Sequence, residues 1–150
     1  MNSASTCQPI LLVEDNPVDL DLTLRALANR KLGNPVHVAR DGVEALAWIP
    51  RWEAGEIWPA LILLDLKLPK IDGLEVLRQL KSHPAFHAIP VVILTTSSEA
   101  FDMQKAYKLG ANSYIVKPVD FDKFREVATQ VELYWCVLNK PFVPLSLEQN

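Results

Sequence analysis

Short apolar runs punctuate the chain at Pro9–Val13, Pro35–Ala39, Leu61–Leu64, Pro90–Leu94 and Ser113–Val116. Each is too short for a helix and shows no clean alternation with polar residues, which suits strands covered on both faces. The segments between them have the other period. Pro17–Lys31 carries Leu20, Leu24 and Leu27 at helical spacing, and Gly73–Lys81 carries Leu74, Leu77 and Leu80. Each predicts a helix that lays one apolar stripe on a sheet. The recurrence of strand then helix predicts βα units around a buried parallel sheet, an α/β fold.

Two regions depart from this plain pattern. A second helix predicted from Asp41 through Val43, Leu46 and Ala47 runs into Pro50, which has no N–H to donate and predicts a kink or an early end. Residues Arg51 to Pro59 read as a polar surface connection pinned by Trp52 and Trp58. The last helix, from Asp120, aligns Phe121, Phe124, Ala128, Val131, Trp135 and Leu138 on one stripe, with Val127 and Tyr134 beside it. That stripe is wider than contact with a sheet requires. Pro141 and Pro144 then end the helix and leave a tail, Phe142, Val143 and Leu145, either docked or free to act as an arm. The expected organisation is an arm over residues 1–8, a single domain over 9–139 and a tail over 140–150.

Composition narrows the class. The chain has 150 residues, 49% hydrophobic and 22% charged, with a formal net charge of -3. That is enough chain for one well-buried core, and the weakly acidic balance lacks the basic footprint of direct nucleic-acid binding. No stretch approaches the ~20 apolar residues of a membrane span, and Met1 to Gln8 lacks the pattern of a secretory leader, so a cytoplasmic protein is expected. Cys7 and Cys136 match no metal spacing and read as plain thiols, and His37, His83 and His87 lie apart.

In an open parallel sheet, ligands bind beyond the carboxyl ends of the strands. The polar residues that end these strands are Glu14 and Asp15, then Asp65, then Thr95 and Thr96, then Lys117 before Pro118. Helix capping would explain such acids singly, but does not require three of them to converge with a lysine. Crowded carboxylates repel unless a divalent cation compensates them, and Mg²⁺, which prefers oxygen ligands, suits Asp15 and Asp65 directly and Glu14 through a water. A carboxylate so placed can attack a phosphoryl donor, and Asp65, ending the most apolar strand, is the candidate nucleophile. The Lys117 ammonium and the Thr95 hydroxyl would face the transferring oxygens.

The words Val13-Glu14-Asp15-Asn16, Leu64-Asp65 with Leu68-Pro69 and Asp72-Gly73, Leu94-Thr95, and Tyr114 with Lys117-Pro118 resemble those of response-regulator receiver domains. The resemblance spans roughly Cys7 to Leu138. It implies a flavodoxin-like five-stranded parallel sheet in the order 2-1-3-4-5 with helices on both faces. It also implies that Glu14 and Asp15 are the acidic pair and Asp65 the phosphoacceptor. Thr95 matches the switch hydroxyl, Lys117 the family's lysine, and Tyr114 the aromatic that changes rotamer with phosphorylation. Glu14-Asp15-Asn16-Pro17, Thr95-Thr96-Ser97 and Tyr134-Trp135-Cys136-Val137-Leu138-Asn139 are similar to the small regulators partnered with cyanobacterial phytochromes. That implies a phytochrome-type histidine kinase as phosphodonor and a homodimer through the C-terminal part, and the wide apolar stripe of the last helix offers Phe121, Phe124, Val127, Val131, Tyr134 and Trp135 as the expected interface. Such a protein is a signalling switch and catalyses only its own phosphoryl transfer and dephosphorylation.

One departure bears on the metal. Lys67, two after Asp65, can still offer its backbone carbonyl as a ligand, but its ammonium is expected to lean into the acidic site and compete with Mg²⁺. Two other readings stand beside the switch. A phosphatase of the haloacid-dehalogenase type wants a second Asp where Lys67 stands. A binding module that keeps the fold without phosphorylation becomes attractive only if Lys67 blocks the metal.

Overall fold

A computed structural model describes residues 8–28 and 33–142. Five strands, β1 (Ile10–Val13), β2 (Val36–Ala39), β3 (Leu61–Leu64), β4 (Val91–Thr95) and β5 (Ser113–Val116), form one sheet in the order β2-β1-β3-β4-β5. Every neighbouring pair is parallel. The order and the helices around it are those expected.

Successive residues of each strand face opposite layers, which is why the runs are continuously apolar. Leu11, Val13, Ile62, Leu64 and Ile93 pack with Trp52, Val76, Leu77, Leu80 and Ala106 on one face. Ile10, Leu12, Leu61, Leu63 and Val92 pack with Leu20, Leu27 and Ala128 on the other. The first face is covered by α2 (Gly42–Leu46), α3 (Trp48–Glu53), α4 (Gly73–Lys81) and α5 (Ala100–Lys108), the second by α1 (Pro17–Ala28) and α6 (Phe121–Leu133). Central β3 is buried throughout, so the residue that follows it leaves the sheet from its most rigid place.

The second helix differs from expectation in an instructive way. It stops at Leu46 and a new helix starts at Trp48, so Pro50 falls in a first turn, where a backbone N–H has no intrahelical partner to lose. In a continuous helix the Pro50 ring would meet the carbonyl of Leu46, the residue at which α2 ends. Arg51 to Glu53 are therefore helical rather than a surface connection, and Trp52 is a core residue whose ring meets Phe86 edge-on at 5.6 Å.

The last helix starts as expected, with the Asp120 carboxylate accepting from the N–H groups of Asp122 and Lys123. Its end widens into a π turn over Tyr134–Leu138, where the N–H of Asn139 donates to Tyr134 at 2.7 Å. The stripe is narrower than the sequence spacing suggested. Phe124 and Ala128 are buried, Val131 and Trp135 half-buried, and Phe121 and Leu138 exposed. Half-buried Phe142 lies near the rings of Trp58 and His87, at 6.4 and 6.5 Å, so the tail begins docked. Val143 and Leu145, like Cys7, lie outside the described residues. No helix among the described residues is long and apolar enough to cross a membrane.

Candidate functional site

Because the strands are parallel, their carboxyl ends share one edge of the sheet, and Glu14, Asp15, Asp65, Thr95 and Lys117 meet there. Glu14 and Asp65 each follow a strand directly, and Glu14 is fixed to the next strand by an N–H to Ala39 O bond of 3.0 Å. Asp65 is held likewise by its N–H to Val13 O at 3.1 Å. Gly73 lets the start of α4 sit against this turn, since a Cβ there would collide with the Asp65 carbonyl and with Leu66. Glu14, Asp65, Thr95 and Lys117 are buried, whereas Asp15 is exposed at the mouth.

Lys117 binds the acids together. Its Nζ donates to Glu14 Oε1 at 2.6 Å, Asp19 Oδ2 at 2.8 Å and Asp65 Oδ2 at 3.2 Å. An ammonium has three protons, and here all three go to carboxylates. Burial alone would depress the Lys117 pKa, but the hydrogen bonds to Asp19 and Glu14 and the charge of Asp65 outweigh it and hold the pKa above the usual lysine range. Burial, reinforced by the charge of Asp65, pushes Glu14 up to about 7 despite its bond to Lys117. One cation therefore does not neutralise the acids around it.

Glu14, Asp15 and Asp65 can bring one carboxylate oxygen apiece within 4.8 Å of one another. Hard oxygens, excess negative charge and an open side at Asp15 fit a small divalent cation. The Asp65 carboxylate also receives the Lys67 N–H at a long 3.4 Å. Thr95 Oγ1 accepts from Ser97 N–H, also at 3.4 Å. Neither contact is short enough to saturate these oxygens.

The expected position of the Lys67 ammonium is corrected here. It lies 3.6 Å from Asp102 Oδ2 on α5, with the side chain largely exposed, instead of within the acidic cluster. Asp102 is buried and is the nearer neighbour of Ser97, whose hydroxyl donates to it at 2.6 Å. Tyr114 is half-buried, and its hydroxyl donates to Ser97 O at 2.9 Å, so the aromatic is tied to the loop that follows Thr95.

Asp19 and Asp102 are not singled out by the sequence, and Ser97 enters there only within Thr95-Thr96-Ser97. Asp19 carried one usable signal. Asn16 caps α1, its Oδ1 accepting from Val18 and Asp19 N–H, and a capped first turn set directly after Asp15 faces the strand ends. The C-terminal residues divide. Phe124 is spent on the core and is withdrawn from the expected interface, while Phe121 and Tyr134 are exposed and Val127, Val131 and Trp135 half-buried.

Residues 10–129 match the response regulator receiver domain. The chain belongs to that family. Receiver domains are signalling proteins that work with histidine kinases, and this one matches several relatives over most of their length. Response regulator Rcp1 of Synechocystis is 38% identical over 128 residues, covering 84% of this chain and 87% of that one. A probable methanogenesis regulatory protein, FilR2 of Methanothrix harundinacea, is 40% identical over 132 residues, covering 87% and 85%. Among solved structures, the phosphorylated cyanobacterial phytochrome response regulator RcpA superposes with a TM-score of 0.85 at 39% identity, over 91% of this chain and 99% of that one. The Mn²⁺-bound form of Rcp1 gives 0.83 at 34%, over the same shares.

Proposed function

We propose that this receiver domain accepts a phosphoryl group on Asp65 from a histidine kinase of the phytochrome type, in a Mg²⁺-dependent reaction, and so switches a protein-interaction surface. The observation that carries this reading is the convergence of Glu14, Asp15 and Lys117 on a rigidly held Asp65. The likeness to a phosphorylated phytochrome regulator supports the donor class, and the Mn²⁺-bound neighbour supports a divalent metal.

In this reading an Asp65 carboxylate oxygen attacks phosphorus, an acyl phosphate bond forms, and the bond from phosphorus to the donor's imidazole nitrogen breaks. Glu14, Asp15, Asp65 and the Lys67 carbonyl would hold Mg²⁺, which when bound supplies positive charge beside the transferring oxygens. Lys117 gives up its bond to Asp65 and donates to a phosphoryl oxygen, and Thr95 donates its hydroxyl to another. Movement of Thr95 shifts the Ser97 loop, and with it the hydrogen bond that holds Tyr114. The only chemistry is this self-directed transfer and its hydrolysis. The reading places the protein in the cytoplasm, without direct contact to nucleic acid.

Labelling with acetyl phosphate, with and without Mg²⁺, tests the core of this. One phosphoryl group per chain is expected with Mg²⁺ and none in Asp65→Asn, and equal labelling of that variant would refute it. A phosphatase reading gains no support, since Lys67 occupies the place of its second Asp. The non-phosphorylated module loses its motive, because the Lys67 ammonium rests at Asp102.

We also propose a homodimer through the end of α6 and the π turn. Tyr134, Val137 and Leu138 are 50%, 48% and 64% exposed there, a group of apolar side chains that a second subunit would cover. Sedimentation should give a dimer at micromolar concentration and a shift to monomer in Tyr134→Ala.

A further inference from the structure

Asp102 is a buried carboxylate that the phosphorylation chemistry does not use. It sits in the first turn of α5, 6% exposed, with the Ser97 hydroxyl at 2.6 Å and the Lys67 ammonium at 3.6 Å. Lys67 itself starts beside the acceptor, its N–H 3.4 Å from the Asp65 carboxylate. A lysine stem of four carbons is flexible, so an ammonium anchored there has two acidic destinations, Asp102 or the cluster of Glu14, Asp15 and Asp65. Ser97 links this corner to the switch aromatic, since its hydroxyl donates to Asp102 while its carbonyl accepts from the Tyr114 hydroxyl at 2.9 Å.

We propose that Asp102 is a positioning residue that parks the Lys67 ammonium outside the acidic cluster and so keeps the cluster open to a divalent cation. This rests on the metal-binding reading of that cluster. The physical logic is competition between cations. A free ammonium beside three carboxylates supplies part of the charge that the metal would supply, and the metal must then displace it. Asp102 prevents this because its burial limits solvent screening, and because Ser97 holds its carboxylate in place toward Lys67. A plain helix-terminal role would also favour an acid in this first turn, but such a role is indifferent to what residue 67 is.

The test is a double-mutant cycle read by calorimetric titration of the full chain with MgCl₂. With Lys67 present, Asp102→Asn should weaken Mg²⁺ binding about five-fold, an effect in the range of one nearby exposed charge. With Lys67→Met in place, the same Asp102→Asn change should alter affinity less than about two-fold, since there is no ammonium to release. Equal weakening in both backgrounds would reduce Asp102 to a general field or structural effect, and no weakening in either would also overturn the proposal. Wild-type chain that takes up no Mg²⁺ would sink this inference and the metal-binding reading together, whereas wild-type binding with an inert Asp102 sinks the inference alone. If Asp102→Asn does not fold, Asp102→Ser keeps a polar residue in the helix's first turn and should give the same pattern.

Discussion

At the amino end of the sheet, Lys81 donates to the carbonyls of His87 and Ile89 at 2.9 Å each and to Asn112 Oδ1 at 3.0 Å. At the carboxyl end, Lys117 donates to three carboxylates. Both ammonium groups spend all their protons, yet their acidities move in opposite directions. Neutral oxygens satisfy the geometry of Lys81 without offsetting its lost hydration, so burial lowers its pKa to about 8. Carboxylates overcompensate Lys117 and raise it. The first lysine ties α4 to the strands β4 and β5 and is complete as it stands. The second is surrounded by more negative charge than it can neutralise, which marks a site built to receive something further. Burial and hydrogen bonding alone would not have separated the two; the charge of the partners does.

The contrast can be broken most forcefully at Lys117. Lys117→Met leaves buried carboxylates without their cation and should cost about 3 kcal/mol in metal-free buffer. Urea titrations in EDTA and in Mg²⁺ should show the metal recovering more of this loss than it adds to wild type. Lys81→Met should cost less, about 2 kcal/mol, for acceptors left unpaired, and phosphoryl acceptance should be unchanged. If it abolishes acceptance while the protein stays folded, the division between a structural and a functional end is wrong. Asp65→Asn should go the other way and stabilise the metal-free fold by about 1 kcal/mol, because it removes one of the crowded charges.

The smallest effect is in pH. Below about pH 8 Lys81 is protonated in both folded and unfolded chains, and its burial penalty is fully present. Between about 8 and the usual 10.5 the unfolded chain holds a proton that the folded chain has released, so this group makes stability rise with pH. Lys117, raised above 10.5, contributes stability that is complete below 10.5 and is lost only at higher pH. The difference in stability between wild type and Lys81→Met should therefore shift across pH 8 to 10.5. Thermal melts at fixed ionic strength would resolve it.

The same contrast governs what is legible in the sequence. A strand buried on both faces writes itself as an unbroken apolar run, so Leu61–Leu64 is located to the residue, and parallel order then gathers Glu14, Asp65, Thr95 and Lys117 at one edge. Side-chain direction was not legible. Asp19 and Asp21 lie on the same helix, and the Asn16 cap sets only where the first turn faces; it does not say that Asp19 reaches a lysine 98 positions away while Asp21 pairs with Arg25. The expectation that Lys67 leans into the acidic site fails for the same reason, since only the packing of α5 offers it Asp102 instead. The break before Pro50 was half legible, since proline forbids continuity but does not say that a new turn will begin at Trp48 and bury Trp52.

The most direct test is to find where the phosphoryl group sits. Borohydride reduces an aspartyl phosphate to homoserine, so chain treated with acetyl phosphate and Mg²⁺, reduced, and mapped by peptide mass spectrometry should carry homoserine at position 65 and at no other. Homoserine at Asp15, at Asp19, or at no position in protein shown to be folded would contradict the assignment of Asp65 as the acceptor.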